Sequence, residues 1–214
     1  MKKLIKVELP KIPVDLNQFS NIIEYINENE TIEEELVENI LIEDIEDQQI
    51  TINSCVFKNV VFMNCDFKKI DLTDVLFENC DLSNISFNSS GMRRVEFKNC
   101  KLIGSKFNDS ILNSVTFKEC LGKYANFAFS KFKGVNIVSG DFCEAVFQEI
   151  HNDKLILDSV NLKYSIFSGT SLKNVDFTSS NIEGIEVKIN DLKGGIFTVP
   201  QAIELTRLME IIIK

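Results

Sequence analysis

The chain has 214 residues, of which 44% are hydrophobic and 26% charged, with no Trp and a formal net charge of −9. That length fits one domain or at most two. No eighteen-residue apolar run exists, so no transmembrane helix is expected, and the acidic balance disfavours direct binding of nucleic acid, which is itself polyanionic.

Residues 1–51 form an N-terminal segment and acidic cap. Lys2 and Lys3 are not followed by an apolar run of the signal-peptide kind. Leu9-Pro10-Lys11-Ile12-Pro13 is a short proline-containing stretch. Residues 28–47 hold ten acidic residues and no Lys or Arg; the rest of the chain is nearly neutral. Such a run is ordinarily a solvated segment. Leu36, Val37, Ile40, Ile42 and Ile45 fit no clean period here. The expectation is a cap over the exposed end of the region that begins at Ile52, with an acidic first coil.

From Ile52 to Phe197 every fifth residue is large and apolar, except at Gly122 and Asn152. Fifteen of the seventeen Phe fall on this register. Neither a helix nor a strand keeps a period of five on one side. A coil with a corner every five residues does, and a short repeat sustained over most of a chain means a solenoid. The residue two before each of these centres is also small or apolar, as at Cys55, Val60, Cys65, Ile70 and Val75, while the other three positions are mostly polar. Two side chains in five therefore point inward.

Four such units at about 90° each close a square coil of twenty residues. The sequence also carries that longer order. One column of centres reads Phe57, Phe77, Phe97, Phe117, and another Phe67, Phe87, Phe107, Phe127, Phe147, Phe167; the two columns between them are mainly aliphatic. Close packing demands such alternation of large and smaller side chains. The fold expected is all-β, a right-handed quadrilateral parallel β-helix, with those ten Phe as its structural core. At strand spacing of about 4.8 Å per coil, residues 52–197 make a rod roughly 35 Å long. The side carrying Leu72 to Leu192 reads as mildly basic, with Arg93, Arg94, Lys131, Lys133, Lys154, Lys173 and Lys193 outward.

The six cysteines do not read as a disulfide or zinc framework. Five of them, Cys55, Cys65, Cys80, Cys100 and Cys120, occupy the small inward site, where Cys acts as a small apolar residue. No CxxC exists and the single His cannot complete a usual zinc set. No metal, cofactor or catalytic residue is expected, and the reduced thiols imply a cytoplasmic protein. His151 lies beside the break at Asn152 and reads as exposed, and Gly194-Gly195 reads as a corner. Gly122 and Asn152 should leave thin spots or bulges. Nearby, Tyr124, Phe129 and Tyr164 stand at normally polar outward positions; they are candidates for partner contact, the alternative being local packing over the gap at Gly122.

Residues 198–214 form the C-terminal element. Pro200 suits the first turn of a helix. Ile203, Leu205, Leu208, Met209, Ile211 and Ile213 supply apolar surface that caps the last coil, pairs with a second copy, or both.

The alternation of a small residue, a polar residue, Phe or Leu and two polar residues, as in Asn79-Cys80-Asp81-Leu82-Ser83 and Ser171-Leu172-Lys173-Asn174-Val175-Asp176-Phe177, resembles the pentapeptide-repeat proteins. Tyr124-Ala125-Asn126-Phe127-Ala128-Phe129-Ser130-Lys131-Phe132 and Thr198-Val199-Pro200-Gln201-Ala202-Ile203-Glu204-Leu205, with the Ile211-Ile212-Ile213-Lys214 end, are similar to Qnr-type quinolone-resistance proteins of Gram-positive bacteria. The resemblance implies a rod-shaped homodimer joined through its C-terminal helices. It implies DNA gyrase and topoisomerase IV as partners, with the rod imitating DNA and protecting the enzyme from fluoroquinolones. The loops that interrupt the repeats in some members are absent, since the register never shifts. The second reading is a generic protein-binding scaffold, or immunity to another gyrase poison.

Overall fold

A computed structural model describes residues 7–18, 31–46 and 49–210. The chain winds as a parallel β-solenoid in which residue n lies beside residue n + 20. Seven short strands come first: β1 (Asn17–Gln18), β2 (Thr31–Glu33), β3 (Glu35–Glu38), β4 (Leu41–Glu43), β5 (Thr51–Asn53), β6 (Val56–Lys58) and β7 (Val61–Met63). Five eight-residue strands come next: β8 (Asp71–Glu78), β9 (Gly91–Lys98), β10 (Ile111–Lys118), β11 (Lys131–Val138) and β12 (His151–Asp158). Each long strand bends around one corner and so serves two sides of the square. The twenty-residue step is explicit in the pairings Phe77↔Phe97, Phe97↔Phe117 and Phe117↔Ile137. The other two sides are stitched by isolated parallel bridges such as Asp81↔Lys101 and Ser86↔Lys106.

The corners explain the five-residue unit. The residue two after each centre lies in the left-handed region at almost every turn, as at Asn59 (φ 54°), Asn79 (φ 57°) and Gly104 (φ 68°). Asn, Asp, Ser and Gly predominate there because they tolerate that conformation best. On the bridged sides a turn hydrogen bond closes the corner, as from Ile85 N to the Leu82 carbonyl (3.2 Å), the geometry of a turn that needs positive φ at its third residue.

Inside, the Phe columns are ring stacks. Phe77–Phe97 and Phe97–Phe117 stack at 5.0 Å between centroids, and Phe107–Phe127 at 4.8 Å. Neighbouring columns meet edge-on, as at Phe107–Phe117, both arrangements being favoured for aromatic pairs. All ten Phe expected in the core are buried. The small inward residues have a second task. Cys80, Cys100 and Cys120 direct Sγ at the carbonyls of Phe57, Phe77 and Phe97 (3.3–3.4 Å), and Ser105 and Ser110 do the same with Oγ toward Leu82 and Phe87. A hydroxyl or thiol at this site meets a buried carbonyl, so it is no liability in the core.

One boundary differs from the sequence reading. Among the described residues, coiling is already present at residue 31, ahead of Ile52: β2 pairs with β5, β3 with β6 and β4 with β7, and Ile32, Val37 and Ile42 are buried centres of that coil. The acidic run hid them, because Glu35 takes the small inward site. Segment 7–18 runs as a strap along the outside of one corner, the column Glu34, Ser54, Asp74, Arg94, Ser114, Gly134. Asn17 N donates to the Glu34 carbonyl, Lys11 N donates to Asp74 Oδ1 (2.8 Å), Glu8 faces Arg94 (3.9 Å), and a Cβ on Gly134 would lie 4.0 Å from Val7. Arg94 is therefore buried and removed from the outward basic set.

At the far end Thr198 and Gln201 form a capping box for α1 (Val199–Leu205), with Pro200 in its first turn. The Gln201 amide donates to the carbonyls of Phe177 and Ser180 (2.9 Å each), and Glu204 Oε1 accepts from Gly184 N (2.9 Å). These side chains replace the next coil as hydrogen-bond partners of the last one.

Candidate interaction surface

Tyr124 and Tyr164 share one corner column, two coils apart, with Glu144 between them; Phe129 sits on the following corner. All three are about half exposed, and all three lie at positive φ (61°, 58° and 61°). A bulky residue there is uncommon and strained, at a cost on the order of 1–3 kcal/mol. Tyr164 lies flat over Gly184, where a Cβ would come within 2.3 Å of the ring, and Lys163 Nζ stands 5.8 Å from the ring centroid. The charge of Glu144 and a hydrogen bond to it push the Tyr124 phenol above its ordinary pKa. Leu121, three residues before Tyr124, is also exposed.

The gap at Gly122 is filled from within. A Cβ at that position would lie 2.3 Å from the Phe142 ring, and that ring contacts Phe117 and Phe127. Tyr124 and Phe129 are thus not covering a hole. At the other break, Asn152 turns to the seam: its Oδ1 accepts from Leu155 N (3.0 Å) and its Nδ2 donates to the Ser171 carbonyl (3.3 Å). A cleft of about 610 Å³ opens beside it, between β12 and residues 171–176.

Several charges on the rod pair between coils. Lys58 and Lys98 flank Glu78, Lys101 meets Asp81, Lys123 meets Asp141 and Lys163 meets Glu183. The hydrogen bond and charge of Lys98 hold the Glu78 carboxyl below its ordinary pKa. The acidic groups of the first coil, Glu33, Glu38 and Glu43, enter no ion pair among the described residues, so negative potential gathers at that end. Glu35, by contrast, is buried, and burial pushes its carboxyl above the usual range. Two inward thiols are held protonated: burial raises Cys55 to about 11, and a hydrogen bond with Cys120 carries Cys100 to about 12. All six cysteines are unpaired. Among the described residues there is no cluster of metal-ligating side chains, and no helix long and apolar enough to cross a membrane. His151 is exposed.

Of the C-terminal candidates, Ile203 and Met209 are exposed on the cap. Leu205 is buried against the last coil and Leu208 packs beside it. Both therefore hold the cap on its own rod. Ile211 and Ile213 lie outside the described residues.

Two family descriptions match, a pentapeptide repeat region over residues 50–127 and pentapeptide repeats (8 copies) over residues 156–186, together about half of the chain. The chain belongs to the pentapeptide-repeat family. No curated protein matches it. Among solved structures, this pentapeptide-repeat protein is similar to QnrB1, a plasmid-mediated fluoroquinolone resistance protein, at 20% identity over 84% of this chain and 98% of the other, with a TM-score of 0.47. It is also similar to HetL, involved in heterocyst differentiation regulation, from the cyanobacterium Nostoc, at 11% identity over 84% and 94% of the two chains, with a TM-score of 0.36.

Proposed function

We propose that this pentapeptide-repeat rod binds a type II topoisomerase, DNA gyrase or topoisomerase IV, and protects it from fluoroquinolones by contact rather than by catalysis. The reading starts from the Tyr124–Phe132 and Thr198–Leu205 segments and their likeness to Qnr-type proteins. The observation that carries it is the strained, exposed trio Tyr124, Phe129 and Tyr164. A corner needs none of these rings, and each spends stability there to present an aromatic face, the side-chain type that anchors interfaces.

Whole-rod imitation of DNA phosphate receives less support, because Lys and Arg balance Asp and Glu over residues 49–214. The partner surface is instead the aromatic corner together with the acidic first coil. The protein works in the cytoplasm, where its thiols stay reduced, as a homodimer joined through Ile203 and Met209 on the cap. Met209→Glu with Ile203→Glu should halve the solution mass, and an unchanged mass removes that interface.

The test is gyrase supercoiling in the presence of ciprofloxacin. The wild-type rod restores supercoiled product; a variant with Tyr124→Ala, Phe129→Ala and Tyr164→Ala restores little. A rod that binds gyrase without rescuing supercoiling belongs to the scaffold reading.

A further inference from the structure

One pairing of side chains occurs twice on the rod. Tyr124 is followed one coil later on its corner by Glu144, and Phe129 one coil later on the next corner by Glu149. All four residues are exposed and lie at positive φ. Corner side chains lean over the following coil, as Tyr164 does over Gly184 and Glu149 over Gly169, where a Cβ on the glycine would meet them at 2.3 and 2.6 Å. Tyr124 likewise reaches Glu144 and hydrogen-bonds its carboxylate. Neither Glu144 nor Glu149 enters an ion pair among the described residues. The lysines beside the two tyrosines are already engaged, Lys123 by Asp141 and Lys163 by Glu183. The side of the square between the two corners turns apolar over the same coils. Val146 and Ile166, both half-buried, stand in the outward column that carries Lys106 and Asn126 before them and Glu186 after.

We propose that this face takes an extended segment of the topoisomerase carrying two arginines, one against Tyr124 and Glu144 and the other against Phe129 and Glu149, an assignment that rests on the topoisomerase reading above. A cation is drawn to the face of an aromatic ring. Guanidinium is the cation that fits best, because its plane stacks on a ring while its fork pairs with a carboxylate; an ammonium is a point charge and does one or the other. A phosphate or an acidic peptide would instead meet two unpaired carboxylates. A wholly apolar partner would strip both of water without a partner in return. Adjacent corners are five residues apart, at most about 17 Å. Residues four apart on one side of an extended chain stand about 13 Å apart, so arginines at that interval reach both corners while the chain between them lies on Val146 and Ile166.

The probe is the peptide acetyl-Arg-Gly-Gly-Gly-Arg-amide, titrated into the full-length rod while the resonances of Tyr124 and Phe129 are followed by NMR. Both rings should shift. Binding should weaken about tenfold when citrulline, the uncharged isostere, replaces arginine, and about tenfold in a Glu144→Gln, Glu149→Gln variant of unchanged circular dichroism. Silent rings, or equal binding by the citrulline peptide or by the variant, overturn the proposal. Intact gyrase separates it from the reading on which it rests. The same variant, its rings untouched, should bind gyrase about tenfold more weakly than the wild type. A variant that binds gyrase as tightly as the wild type overturns the arginine assignment and leaves the topoisomerase reading standing. A wild-type rod that takes the peptide through both glutamates yet does not bind gyrase upholds the arginine-binding face and removes the topoisomerase as its partner.

Discussion

Arg94 grips Asp74 of the preceding coil, Nε donating to Oδ1 at 2.6 Å and Nη2 to Oδ2, and each residue is less than a tenth exposed. The pair lies under the strap, and Asp74 also accepts from Lys11 N. Burial works to raise the Asp74 pKa, but the bonds and charge from Arg94, with the Lys11 amide, outweigh it and hold the carboxyl low. A depressed carboxylate contributes stability that is complete above its unfolded value of about 3.9 and is lost as pH falls through the folded value. Arg94→Ala leaves a buried carboxylate without its partner and should cost about 3 kcal/mol. Chemical denaturation at pH 7 checks this, and the penalty should shrink toward pH 3.

Glu35 has the opposite sign. Burial raises its pKa, with the bond from Asn17 only partly offsetting it, and its Oε2 has no hydrogen-bond partner. A raised carboxyl costs stability as pH rises through its folded pKa. Glu35→Gln should therefore raise the melting temperature at pH 7 and change it little below pH 4. Equal shifts at both pH values would mean that the carboxylate charge is not the cause.

Gly122→Ala should destabilise the rod by about 1–3 kcal/mol, because the new methyl meets the Phe142 ring in a filled core. Phe142→Leu in the same chain should recover part of that loss. A double-mutant cycle measures the coupling, and strictly additive losses would place the two side chains apart.

The corner aromatics separate stability from recognition. Tyr124→Asn and Phe129→Asn put a residue suited to the left-handed region where a bulky ring now stands. Thermal unfolding should show equal or greater stability, by up to about 1 kcal/mol. Loss of stability would mean that the rings serve the fold.

Most of the coil was legible because its cause is a spacing. Phe77, Phe97 and Phe117 at twenty-residue intervals require one stack, whatever surrounds them. The first coil was hidden because Ile32, Val37 and Ile42 are embedded in carboxylates and Glu35 occupies an inward site. The burial of Arg94 was hidden because it depends on a strap more than eighty residues away in sequence. Asn, Ser and Gly predominate at residues ending in 4 and 9, which the structure places at the corners, and Tyr124 and Phe129 stand out in the sequence alone as rings at normally polar outward positions. What Gly122 receives in exchange for its missing side chain depended on the Phe142 rotamer, which no pattern specifies.

Equilibrium binding to intact gyrase tests the functional reading most directly. The wild-type rod should bind, and the variant with Tyr124→Asn, Phe129→Asn and Tyr164→Asn should bind at least about tenfold more weakly while keeping its circular dichroism and a melting temperature no lower than the wild type's. A wild-type rod that does not bind gyrase, or a folded variant that binds as tightly, would contradict the account.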